Sequence, residues 1–106
     1  MWFPLLLALG LVLTPGVAQA PSGGAARVLE PEPVPFISYP YEWCFSQFKD
    51  AALLTLRIIR KSLEHGMVLK DASAYNIQFI GSRPVMIDTL SFEKYVEGRP
   101  WIGYKQ

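Results

Sequence analysis

The first 26 residues, Met1 to Ala26, contain no Asp, Glu, Lys, Arg or His, so every charged side chain of this 106-residue chain falls between Arg27 and Gln106. That boundary confines any water-soluble fold to the last 80 residues. About a quarter of those are charged, the usual share for a soluble domain, and one compact domain at most fits the length. Ten Lys/Arg stand against nine Asp/Glu, with the signs interleaved. Binding to nucleic acid by counterion release needs clustered cations, so that partner class is not indicated. Cys44, the one cysteine, excludes an internal disulfide, and with the lone His65 it offers no zinc-ligand spacing.

Residues 1–26 form the uncharged leader. Trp2 to Val12 is almost wholly apolar, Pro15-Gly16 interrupts it, and Ala18-Gln19-Ala20 has the small-x-small outline of a signal-peptidase site. No cation precedes the apolar run, and Pro21 would follow the cut. Two readings stand open: an export signal or anchor in residues 1–20, or an extension rich in Ala, Gly and Pro. A membrane partner is expected only in the first case. Residues 27–35 carry Pro31, Pro33 and Pro35, which neither a helix nor a central strand tolerates, and read as a linker. The folded region is expected over 36–106.

From Phe45 onward Phe48, Ala52, Leu56, Ile59 and Leu63 recur every three or four residues, while Lys49, Arg57, Arg60, Lys61 and Glu64 take the other side. This spacing predicts a long amphipathic helix, with Ser46 as its cap, Gly66 as its left-handed stop and His65 in its last turn. The period then falls to two. Val68 to Lys70 is a short extended piece, Asn76 to Ile80 a strand, Gly81 to Pro84 a turn and Val85 to Asp88 a second strand. Glu97-Gly98-Arg99-Pro100 is a further turn, and the large Trp101 and Tyr104 so near Gln106 suggest a chain that continues in a longer protein. The expected class is α+β: one helix on an antiparallel hairpin, with a thin core of Phe45, Phe48, Leu53, Leu56, Ile59, Ile77, Phe79 and Ile87.

Between helix and hairpin lies Asp71-Ala72-Ser73-Ala74-Tyr75-Asn76, and Asp88 follows at the end of the second strand. Singly, Asp and Asn at such places start and stop turns. Jointly, they have the spacing of the protein kinase catalytic loop, D-x-x-x-x-N, followed by a metal-binding Asp. In that chemistry Asp71 would orient or deprotonate the attacking hydroxyl. Asn76 and Asp88 would supply hard oxygen ligands to Mg²⁺ bridging ATP phosphates. The order of elements resembles part of a kinase-like C-lobe. The departures are definite: Leu69-Lys70-Asp71 lacks the histidine, Asp88-Thr89-Leu90 lacks the glycine, and no glycine-rich phosphate loop precedes the helix.

Longer blocks carry a closer resemblance: Tyr39-Pro40-Tyr41-Glu42-Trp43, Lys70 to Phe79, and Arg83-Pro84-Val85-Met86-Ile87-Asp88-Thr89-Leu90-Ser91-Phe92-Glu93. From Val34 to Gln106 the chain resembles the N-terminal region of bacterial SAM-dependent methyltransferase family proteins, in which a kinase-like segment precedes a class I methyltransferase domain. Met1 to Ala26 stand outside that resemblance. It implies a C-terminal methyltransferase domain as the missing partner, S-adenosylmethionine as the cofactor of the full-length family, and a cytoplasmic location. No G-x-G pattern occurs in these 106 residues, so SAM binding is not expected of this stretch. Three functions follow: a kinase-like fragment of such a protein, incomplete as an enzyme alone; an ATP/Mg²⁺-dependent phosphotransferase fragment using Asp71, Asn76 and Asp88; and an exported helix-hairpin interaction module. Tyr41 and Trp43 are expected to pack under the helix rather than form a functional loop.

Overall fold

The computed structural model describes residues 32–106, so the expectations for the leader and for linker residues 27–31 lie outside the described residues. The chain enters without regular structure through Ser38, makes a single 3-10 turn at Pro40–Glu42, and starts helix α1 (Phe45–Leu63). The cap is Cys44, not Ser46. Gln47 reaches back so that its Oε1 accepts the Cys44 N–H at 3.0 Å, and the Cys44 carbonyl accepts from Phe48 N at 3.1 Å. The first bond gives the cap N–H an acceptor, the second opens the helical ladder, and Ser46 falls inside the first turn. The far end is as expected: Gly66 adopts φ +68°, and His65 Nδ1 lies 2.9 Å from the Lys61 carbonyl, a helix-end contact.

Four short strands follow, β1 (Met67–Leu69), β2 (Ile77–Ile80), β3 (Arg83–Met86) and β4 (Phe92–Lys94), in two antiparallel pairs. The β2–β3 hairpin matches Ile77 to Met86 and Ile80 to Arg83, leaving a two-residue loop of Gly81 and Ser82. Gly81 supplies the positive φ, +62°, at the first loop position. The turn is thus tighter than the sequence suggests, and Pro84 lies within the strand, at a position a two-stranded ribbon tolerates. Sequence periodicity does not reveal β4. It pairs with β1, Met67 opposite Lys94 and Leu69 opposite Phe92, and so closes the segment 70–91 at its base.

The core holds Trp43, Ala51, Ile58, Leu69, Ile77, Phe79, Met86 and Phe92. Trp43 meets Phe79 edge-on at 5.1 Å and Phe48 at 5.5 Å. Ile77 and Phe79 are buried as expected, and Ile59 packs partly against the core. Phe45, Phe48, Leu53, Leu56 and Ile87 are exposed instead, Phe45 at 83% and Leu56 at 61%. Helix α1 buries Ala51, Ile58 and Ser62, a line one residue out of step with the expected stripe. At 100° per residue that is a quarter-turn. Small side chains allow close approach there, and the hydroxyls do not need water: Ser62 Oγ donates to the Ile58 carbonyl at 2.7 Å and Thr55 Oγ1 to the Ala51 carbonyl at 3.0 Å. Tyr41 also departs from expectation, standing exposed and stacked on Tyr39 at 5.5 Å, whereas Trp43 is buried.

Candidate functional site

The hairpin brings Asn76 and Asp88 to the same end of β2–β3. Asn76 closes a 3-10 turn at Ala74–Asn76, capped by Ser73, and its carbonyl accepts the Ile87 N–H at 2.9 Å, one residue before Asp88. Both side chains are half-buried. They meet at Ser91, which lies between them: Ser91 Oγ donates to Asp88 Oδ2 at 2.5 Å, and Asn76 Nδ2 is 3.4 Å from Ser91 Oγ. The second Asp88 oxygen, Oδ1, accepts the Leu90 N–H at 2.8 Å. Each carboxylate oxygen keeps lone pairs beyond these bonds.

Asp71 sits in the preceding loop, half-buried, with Oδ1 accepting from Ser73 N at 2.9 Å. This loop is tied to the same serine from the other side, because Lys70 N donates to the Ser91 carbonyl at 2.8 Å. Two further bonds hold it from outside. Trp101 Nε1 donates to the Leu69 carbonyl and Gln106 Oε1 accepts the Ala72 N–H, both at 2.6 Å. The structure therefore brings Asn76 and Asp88 together at one buried residue, Ser91, ties the backbone just before Asp71 to the same residue, and straps the Asp71 loop with the last six residues.

Ser91, Trp101 and Gln106 are not reached by spacing arguments. For Ser91 the signal is weak but present: an apolar strand ending in Asp, with a serine three residues on, is a local side-chain turn. Away from these contacts, Tyr41 stacks on Tyr39 and is influenced by the Glu42 carboxylate and the Tyr39 and Tyr75 phenols. Desolvation first, and these groups after it, push the Tyr41 phenol above its ordinary value.

The donor chemistry suits a hard cation only in part. Asn76 and Asp88 offer oxygen ligands, and Mg²⁺ is commonly held by one or two carboxylates with phosphates and water completing its shell. Among the described residues no group of three or more His, Cys, Asp or Glu is placed to hold a metal. Beside the loop, α1 and the C-terminal strap enclose an apolar groove of about 420 Å³ whose walls include Phe48, Leu56, Ala74, Trp101 and Tyr104. No helix among the described residues is long and apolar enough to cross a membrane.

No family model and no solved structure matches the chain. It is similar to nodulation protein NoeA of Rhizobium meliloti (strain 1021), at 47% identity over 92 residues, 87% of this chain and 19% of that protein. The chain thus spans about a fifth of the length of the curated relative it matches. A 92-residue match within 106 residues takes in 15–92 whatever its ends. It therefore includes Asp71, Asn76, Asp88 and Ser91, and it crosses the charge boundary at Ala26.

Proposed function

We propose that this chain is the kinase-like N-terminal part of a longer SAM-dependent methyltransferase family protein, carrying half of a Mg²⁺–phosphate site. The observation that carries the reading is the convergence of Asn76 and Asp88 on Ser91, with the Asp71 loop hydrogen-bonded to the same residue. Asn76 Oδ1 and the Asp88 carboxylate are the cation ligands. Asp71 Oδ1 is held by the Ser73 amide, which leaves Oδ2 to accept the proton of an attacking hydroxyl. When bound, Mg²⁺ offsets the charge of the phosphates. No glycine-rich phosphate loop is present in the sequence, so ATP anchoring and methyl transfer both depend on further polypeptide. The apolar face of α1 and the groove beside it fit a segment that packs against more protein, and the matched relative is about five times as long.

The test is an NMR titration of the full 106-residue chain with Mg²⁺, alone and then with ATP. Expected are shifts confined to residues 71–76 and 87–91 and abolished by Asp88→Asn. Shifts that are absent, or equal in that variant, reject the phosphotransferase-like site.

A further inference from the structure

Ser91 is 1% exposed, yet its side chain is polar and its neighbours on two sides are the expected cation ligands. The polarity of this contact can be assigned. An ionised carboxylate only accepts, so the single hydroxyl proton of Ser91 goes to Asp88 Oδ2. Toward Asn76 the Ser91 oxygen can then only accept, which requires the Asn76 NH₂ to face it. Asn76 Oδ1 is consequently the atom turned away from Ser91. A carboxamide free to flip could turn NH₂ that way; this one is held with its oxygen on the side away from Ser91. The backbone carbonyl of Ser91 accepts Lys70 N, next to Asp71. From these contacts we infer that Ser91 is a positioning residue: its hydroxyl sets the amide orientation of Asn76 and the rotamer of Asp88, and so leaves the Asn76 oxygen, not its NH₂, available to a divalent cation.

This inference rests on the cation-site reading above, and two readouts separate them. The first needs no cation. In the unliganded chain the Asn76 side-chain NH₂ should give two well-resolved, slowly exchanging proton signals. Ser91→Ala and the near-isosteric Ser91→Cys should collapse them toward the signals of a solvated amide, and Ser91→Thr, which keeps the hydroxyl, should restore them. The second is Mg²⁺ titration of the same four proteins. Partners behind metal ligands are typically worth roughly ten- to a hundredfold in affinity. Ser91→Ala and Ser91→Cys should thus weaken Mg²⁺ at least about tenfold while Ser91→Thr stays near the parent.

Unchanged Asn76 signals in both hydroxyl-free variants overturn the inference, whatever happens with Mg²⁺. Equal Mg²⁺ affinity in all four overturns it and leaves the cation site standing. Serine-dependent Asn76 signals without Mg²⁺ binding by the parent chain reject the cation site, and with it the claim that Ser91 leaves an oxygen available to one. Should Ser91→Ala fail to fold, as judged by circular dichroism, the Cys and Thr pair carries the same comparison.

Discussion

The indole of Trp101 donates to the carbonyl oxygen of Leu69 at 2.6 Å, across 32 residues of sequence, so the end of the chain holds the strand that leads into Asp71. Trp101→Phe keeps most of the ring and deletes the donor. A loss of about 1–2 kcal/mol is expected, the net worth of one such bond plus some packing. Urea unfolding monitored by far-ultraviolet dichroism measures it, and the Asp71–Ser73 amides should exchange faster in the variant.

Gly103 makes that placement possible. A Cβ there would lie 2.6 Å from Trp101 Cζ2, closer than two carbons can approach, so Gly103→Ala must push the indole off its acceptor. Overpacking of this kind costs about 1–3 kcal/mol. Because both changes act through one contact, the double variant Trp101→Phe/Gly103→Ala should lose less than the two single losses added together. Simple additivity in the unfolding midpoints would show that they act separately.

Gln78 is buried and grips the entry segment with both ends of its amide: Nε2 donates to the Ser38 carbonyl at 2.9 Å and Oε1 accepts Ser38 N at 3.0 Å. Ser38 Oγ in turn accepts from Trp43 Nε1 at 3.0 Å. Gln78→Leu keeps the volume and breaks both bonds. The expected result is a loss of about 1–3 kcal/mol, with the Ser38 amide losing its exchange protection while those of α1 keep theirs.

The two faces of α1 should respond oppositely to truncation. Ile58→Ala opens the core and should cost about 2–5 kcal/mol, whereas Leu56→Ala, on the exposed stripe, should stay within about 0.5 kcal/mol. A large Leu56 effect in the 106-residue chain would mean that this stripe is covered in solution.

At the end of α1, Lys61 Nζ lies 2.7 Å from Glu64 Oε2. The hydrogen bond and charge of Lys61 hold the Glu64 carboxyl below its ordinary value. A depressed folded-state value means that the contribution is present above the unfolded value and is lost as pH falls through the folded one. Both groups are exposed, so only fraying of the last helical turn is expected in that acidic window. Glu64→Gln should remove the pH dependence of the Glu64 and His65 amide shifts there.

Much of the fold was legible because it follows from local chemistry. Periodicity located α1, and Gly66 and Gly81 marked turns that need positive φ. The inward face of α1 was not legible, since Thr55 and Ser62 satisfy their hydroxyls on the helix backbone and can face the core despite low hydrophobicity. Strand β4 was equally hidden: three residues long, it is defined by its pairing with β1, and no local pattern reveals a pairing. At the site, Asp71, Asn76 and Asp88 stood out by spacing, while Ser91 and the Trp101 strap depend on contacts made in space.

The β1–β4 ladder has a consequence for how this region can change over time. Because Leu69 and Phe92 are cross-strand partners, the segment between them begins and ends at adjacent points, while its Ile77, Phe79 and Met86 pack into the core. A span whose two ends touch can be lengthened at its exposed loops without re-routing the chain on either side. Everything proposed to do chemistry here lies inside that one segment, and the strap that disciplines it does not.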